Sequence, residues 1–266
     1  MTEIIKIIKQ ILYFTIFIFS CNFLYSNEVY ENFGLTRSED KTKIYLTIDL
    51  CPSQKAGYNE DLFNALVELS KLQQRPIPIA IAISGRWIIN HQQALKEIKA
   101  KQKLGYLDIV WINHSYAHHY NPKDKKEESF MLHDISSALA DIKKNRKTMK
   151  DFGLKPSNFF RFPGLISNDY LNNLVQQLGY TILGADAWLA KTGGKFHGGD
   201  IILIHGNLNE QIGVNLFLKN LKEHKFALYQ FASIEDFNQQ ETPKDSSLTL
   251  KNYLQEASLI TPSPSI

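Results

Sequence analysis

Asp108-Ile109-Val110-Trp111-Ile112-Asn113-His114-Ser115-Tyr116-Ala117-His118 is the stretch whose reading decides the fold. Its first half is a short apolar run that reads as a buried strand. The run gives way to polar residues, and two histidines follow four positions apart. If the chain turns helically there, positions i and i+4 share a face and both imidazoles aim at one point. Two neutral imidazoles converging at a strand's carboxyl end make half of a metal site. Histidines this close in sequence are as often surface residues, so the rest of the chain has to decide.

Working outward, the same rhythm repeats on both sides. Ile44-Tyr45-Leu46-Thr47-Ile48-Asp49-Leu50 and Pro76-Ile77-Pro78-Ile79-Ala80-Ile81-Ala82-Ile83 are apolar, β-branched runs before it. After it come strand patterns at 158–162, 180–185, 200–205 and 226–232. Helical spacing fills the intervals at 59–73, 90–103, 128–150, 168–178 and 209–224, with Ser167 as the cap of the fourth. Near-continuous apolar strands alternating with helices indicate a parallel sheet covered by helices. About seven such units predict an α/β fold of closed or nearly closed barrel type, TIM-barrel-like, with an open doubly wound sheet as the alternative. Both place chemistry at the carboxyl ends of the strands.

Composition agrees with one large domain. The 266 residues are 44% hydrophobic and 21% charged, with a net charge of +3. No basic stripe with interleaved aromatics points to nucleic acid. The glycines of Gly193-Gly194-Lys195-Phe196-His197-Gly198-Gly199 lack the strand–turn–helix setting of a phosphate loop, so no nucleotide is expected. At the N-terminus, Lys6 and Lys9 precede an uncharged apolar run from Ile11 to Ser20. It is shorter than the ~20 residues a bilayer span takes and reads as an export signal over residues 1–26. The body is then periplasmic or secreted. Ile18-Phe19-Ser20-Cys21 also resembles a lipobox, and membrane contact is expected only if Cys21 carries lipid. Residues 27–43 read as a polar arm without a period, 44–238 as the domain, and 239–266 as a loosely held tail. Cys51 would be alone in the processed chain, so no internal disulfide is available.

Polar residues mark the strand ends. Asp49, His114, Arg161, Asp186 and His205 each lie at or just after an apolar run, which would open all of them onto one rim. Any of them alone is more often a satisfied structural group. Taken in order, Thr47-Ile48-Asp49, His114-Ser115-Tyr116-Ala117-His118, Arg161-Phe162-Pro163-Gly164, Asp186-Ala187-Trp188 and Leu203-Ile204-His205 resemble the motifs of the polysaccharide deacetylases of the NodB-homology type, carbohydrate esterase family four. The histidine motif is the most specific of them.

That resemblance implies a distorted (β/α)7 barrel and a metal-dependent deacetylase acting on an N-acetylated glycan, of peptidoglycan or chitin type. It implies a divalent metal, zinc by preference, on His114 and His118, with Asp49 as general base and His205 as general acid. Arg161 would orient Asp49 and pair with Asp186. Trp188, Leu203 and Tyr116 would line the substrate site. One position departs from the pattern: the family's second aspartate, its third metal ligand, is Leu50 here. Leucine has no lone pair to give. Three outcomes stay open. Asp49 could join the metal, Cys51 could supply a thiolate because i and i+2 share a strand face, or the chain could be a catalytically weakened or inactive carbohydrate-binding relative.

Overall fold

The structure, a computed structural model, describes residues 28–237 apart from 54, 56, 121, 122 and 124. The expected export signal, Cys21 and the expected tail from Gln239 lie outside the described residues. No helix among those described is long and apolar enough to cross a membrane.

In chain order the elements are β1 (Val29–Glu31), β2 (Lys43–Leu50), α1 (Glu60–Gln73), β3 (Ile77–Ile83), α2 (Gly85–Asn90), α3 (Gln92–Lys103) and β4 (Leu107–Asn113). There follow α4 (Phe130–His133), α5 (Ile135–Asp151), β5 (Pro156–Phe160), β6 (Ile166–Asn168), α6 (Asp169–Gln177) and β7 (Thr181–Ile182). The last are β8 (Ala187–Trp188), α7 (Leu189–Thr192), β9 (Ile201–His205), α8 (Gln211–Lys222) and β10 (Gln230–Phe231). The main sheet runs β7-β5-β4-β3-β2-β9-β8, with β10 beside the start of β2. Every pairing within it is parallel. It curls into a distorted (β/α)7 barrel with helices outside.

Strand alternation sorts the side chains. Ile44, Leu46, Ile48 and Leu50 of β2 pack with α1 and α8 through Leu62, Phe63, Leu66, Val214 and Phe217. Tyr45 faces the other way, into a barrel interior shared with Ala80, Ala82, Val110, Ile112, Ile201 and Leu203. A period of two therefore carries Asp49 to the interior and Leu50 to the helix side. Leu50 is fully buried there and takes no part in lining the mouth.

Several boundaries differ from the sequence reading. The expected arm is structured: β1 pairs antiparallel with β6, and isolated bridges join Leu35 to Leu183 and Arg37 to Asp200. Its missing period has a physical cause, since it stitches two edges together by backbone bonds instead of burying one apolar face. The helix expected over 90–103 breaks at His91, whose φ of −127° is not helical. The one expected over 128–150 begins at Ile135, because Asp134 accepts from Ser136 N–H and Ser137 N–H as an N-cap. Ser167 lies in β6, and the cap is its neighbour Asn168. Most of the strand expected at 226–232 is a 3-10 turn at Lys225–Leu228 followed by the short β10.

Candidate active site

The register of the sheet assembles the site. Asp49 on β2 lies directly beside His205 on β9. His114 follows β4, whose end pairs with β3 and accepts the Arg161 N–H at the Asn113 carbonyl, 3.0 Å away. One small pocket is lined by Asp49, His114, His118, Tyr120, Trp188 and Leu203, with His205, Phe162, Gly164 and Leu165 completing it.

The two histidines converge, though not on a helix. Ser115 and His118 both have positive φ, 67° and 46°, so the link between them is a compact irregular loop. Asp141 on α5 holds it. Its carboxylate accepts from the Ser115 hydroxyl (2.5 Å), the Tyr116 N–H (2.6 Å) and the Ala117 N–H (2.9 Å). The Ser115 hydroxyl oxygen in turn accepts from the His118 N–H at 3.1 Å. A carboxylate that gathers successive backbone N–H groups offsets the strain of two left-handed residues. Sequence reasoning passed over Asp141 because its partners sit more than twenty positions away.

The His114 Nε2 and His118 Nε2 atoms are 3.0 Å apart. His114 Nδ1 lies 2.8 Å from the Arg161 carbonyl oxygen. That carbonyl can only accept, so Nδ1 carries the proton and Nε2 keeps its lone pair for the pocket. Burial pushes the His114 imidazole below its usual range, helped by Arg161 and His205. Burial, then the neighbouring His114, pushes His118 well below it. Both rings are therefore neutral donors near pH 7, the form a cation needs.

Asp49 is 3% exposed and Arg161 0%. Arg161 Nη1 donates to Asp49 Oδ1 at 2.6 Å and to Thr47 Oγ1 at 2.9 Å. Its Nη2 donates to the Gly184 carbonyl at 2.9 Å, and its Nε reaches the Leu183 carbonyl at 3.4 Å. A buried guanidinium is tolerated when its donors are used in this way. Burial acts to raise the Asp49 carboxyl, but the Arg161 charge first, then the nearby imidazoles and the Arg161 hydrogen bond, outweigh it and leave it below its ordinary value. Its second oxygen lies 3.6 Å from His114 Nε2.

Asp186 does not meet Arg161. Its carboxylate pairs with Arg37 of the arm at 2.8 Å, and the same guanidinium pairs with Asp200 at 2.8 Å. Four of the five Arg161 N–H donors are already used, by Asp49, Thr47 and the carbonyls of Leu183 and Gly184, while Asp186 has its counter-charge in Arg37. His205 is oriented by a residue the sequence did not single out, Glu210, whose Oε2 is 3.1 Å from His205 Nδ1. Trp188 Nε1 donates to the same carboxylate at 2.9 Å, and the Trp188 and His205 rings lie 5.2 Å apart. Burial acts to raise Glu210, but the bonds from His205 and Trp188 outweigh it and hold it below the usual carboxylate range.

Leu203 and Trp188 line the inner pocket. Tyr116 does not; it lies under Lys144, 3.7 Å from the ring centre, and lines a separate depression with Arg86 and Ile89. The left-handed turn at Ser115 swings it away, and Tyr120 takes the place at the pocket. Gly164, at φ 66°, permits this: a Cβ there would lie 2.4 Å from the Tyr120 ring. Cys51 is buried beside the histidines, its Sγ 3.5 Å from His114 Nε2. Burial, then the charge of Asp49, pushes its thiol well above the ordinary value.

The inner pocket has a volume of ≈ 30 Å³, room for about two waters and far too little for a sugar ring. It shares His118, Tyr120 and Gly164 with an outer groove of ≈ 560 Å³, of ordinary ligand-site size. Arg86, Lys125, Lys126 and Lys191 lie along that groove with Glu31 and Glu128.

Paired imidazoles, a charge-held carboxylate and a separately oriented histidine at the mouth of an α/β barrel define a hydrolase-type centre. The polysaccharide deacetylase family model matches residues 36–183, more than half of the chain, and the chain belongs to that family, hydrolases of non-peptide carbon–nitrogen bonds in N-acetylated glycans. The fold is similar to that of a family 4 carbohydrate esterase from Bacillus anthracis, with a TM-score of 0.57 at 18% identity over 80% of this chain and 97% of that one. The chitin deacetylase of Colletotrichum lindemuthianum gives 0.55 at 13% identity, over 81% and 95%. A pseudoenzyme of the same esterase family from Bacillus anthracis gives 0.53 at 15% identity, over 78% and 69%.

Proposed function

We propose that this chain is an exported, metal-dependent N-deacetylase that releases acetate from N-acetylated sugars of a peptidoglycan- or chitin-type glycan. The observation that carries the reading is the sharing of one acetyl-sized pocket by Asp49, His205 and the His114–His118 pair. A divalent cation fits the residues present. The His114 Nε2 lone pair faces His118 Nε2 at 3.0 Å, which brings the two imidazole nitrogens close enough to hold one cation between them when His118 carries its proton on Nδ1.

His114 and His118 would hold the metal, with a third donor beside them. When bound, it would polarise the acetyl carbonyl and acidify water. Asp49, kept ionised by Arg161, takes the proton of the attacking water. His205 carries a proton to the departing amine, and Glu210 holds the ring for that transfer. Trp188 and Leu203 wall the acetyl group, while the sugar ring and its neighbours lie in the outer groove. The region over 1–26 serves export, so the glycan is met outside the cytoplasm.

Protein purified after expression of the full chain should release acetate from N-acetylglucosamine oligomers, and a chelator should stop it. His205→Ala should reduce turnover by about 100-fold or more. A folded, metal-loaded protein without action on any N-acetylated glycan would sink the reading. Leu50 supports a second one, a relative that binds glycan without turnover. It predicts binding that is unaffected by His205→Ala and no acetate at any metal concentration.

A further inference from the structure

We infer that Cys51 completes the metal site as a thiolate ligand, giving a two-histidine, one-cysteine centre in place of one built with a carboxylate. The inference rests on the metal-dependent reading above and goes beyond it by assigning the third ligand and the class of cation. Two triads of ligating side chains lie with their donor atoms within 4.8 Å of one another, Cys51–His114–His118 and Asp49–Cys51–His205. Cys51 is common to both. Among the described residues, no such triad joins Asp49 to the two histidines.

The spacing suits zinc. Bonds of about 2.3 Å to sulfur and 2.0–2.1 Å to nitrogen at a tetrahedral centre separate the donor atoms by roughly 3.3–3.6 Å. Cys51 Sγ and His114 Nε2 are 3.5 Å apart, and the two imidazole nitrogens 3.0 Å. The first distance fits as it stands; the second asks for a shift of a few tenths of an ångström. Strand parity explains how the ligand moved. Leu50 points to the helix side among Ile48 and Phe63, whereas Cys51 returns to the face of Asp49. The Asn207 side chain donates to the Cys51 carbonyl at 3.0 Å and fixes the backbone at that point.

Asp49 is left free for proton transfer. One of its oxygens is taken by Arg161, and a cation on the other would remove the base from the reaction. On binding, the cysteine S–H bond breaks, its proton passes to solvent, and the sulfur lone pair bonds to the cation with no change of oxidation state. A thiolate favours zinc, cadmium or cobalt over magnesium or manganese.

The test is metal binding rather than turnover. Full-chain protein is stripped, reloaded with zinc or cobalt(II), and compared with Cys51→Ser, Cys51→Ala and Cys51→Asp. The wild type should take up one zinc per chain, and its cobalt form should show a thiolate-to-metal charge-transfer band in the near ultraviolet. Cys51→Ala should weaken zinc by more than the roughly 10–100-fold that loss of an outer-shell partner brings. Cys51→Asp should keep a metal but lose the band, and circular dichroism of each variant checks the fold. Stoichiometric zinc that is indifferent to Cys51, with no sulfur band, overturns the proposal and leaves the metal-dependent reading standing. A wild type that takes up no metal overturns both.

Discussion

His205 Nδ1 lies 3.1 Å from Glu210 Oε2, and the same carboxylate accepts the Trp188 indole N–H. Glu210 therefore selects which ring nitrogen of His205 carries its fixed proton and leaves Nε2 as the atom that can give one to a leaving group. Glu210→Gln keeps the shape but removes the charge that stabilises an imidazolium. Turnover should fall roughly 10–100-fold with KM little changed, and the alkaline limb of the pH–rate profile should move to lower pH. A profile that coincides with the wild type would reduce Glu210 to a packing residue.

Arg161 is the buried counter-charge of Asp49, so removing either leaves a lone charge in the barrel. Arg161→Met should destabilise the fold by about 3–5 kcal/mol, read as a lower urea midpoint in chelator. Arg161→Lys should not rescue it, since one ammonium cannot reach Asp49, Thr47 and two carbonyls together. An unchanged midpoint in Arg161→Met would contradict the pairing.

The same pair sets a pH dependence of stability. Asp49 is held below its ordinary value, so it binds fewer protons folded than unfolded through the acid range. Its contribution is fully present above the unfolded carboxylate value of about 3.9 and is lost as pH falls towards the folded one. The stability gap between the wild type and Asp49→Asn, measured in chelator, should be constant from pH 7 to about 5 and narrow below about 4. A gap that widens on acidification has the wrong sign for this account.

Asp141 is predicted to govern the histidine loop through its bonds to Ser115, Tyr116 and Ala117. Asp141→Ala leaves His114 anchored to Arg161 but frees the chain that carries His118. Metal affinity should drop about 10–100-fold, as for outer-shell partners elsewhere, while the thermal midpoint shifts less than in Arg161→Met. Equal metal affinity in both proteins would show that the loop keeps its form without that carboxylate.

What the sequence made legible follows from periodicity. An alternation of two sends Asp49, His114, Arg161 and His205 to the inner face and the rim, and their apolar neighbours Leu50, Ile204 and Trp111 to the helix side. Those placements need only strand parity. Partner choice does not follow from parity. Asp186 goes to Arg37, and His205 goes to Glu210, because loops outside the period decide which carboxylate arrives first. Tyr116 and Tyr120 exchanged places for the same kind of reason, a left-handed residue at Ser115 that no motif announces. The arm was invisible because its contribution is made by backbone groups, by the Arg37 guanidinium and by one asparagine.

That asparagine is Asn32, in the left-handed conformation at φ 63°. Its side chain accepts the Ala185 N–H at 2.7 Å and donates to the Ala185 carbonyl at 2.9 Å. It takes the place of a strand neighbour at Ala185, just past the bridge between Leu35 and Leu183. The preceding residues, Leu183 and Gly184, offer the carbonyls that receive Arg161. Gly184 lies so close that a Cβ on it would be 2.6 Å from Asn32 Oδ1. A physical path thus runs from the arm through residues 183–185 to Arg161 and on to Asp49. Asn32→Ala should remove both bonds, lowering stability by about 1–3 kcal/mol, and should speed hydrogen exchange at Ala185 first. If the path carries position as well as stability, kcat should fall several-fold with KM held, and Asn32→Asp, which keeps the acceptor, should recover part of the loss. Faster exchange at Ala185 with turnover unchanged would confine the arm to a structural role.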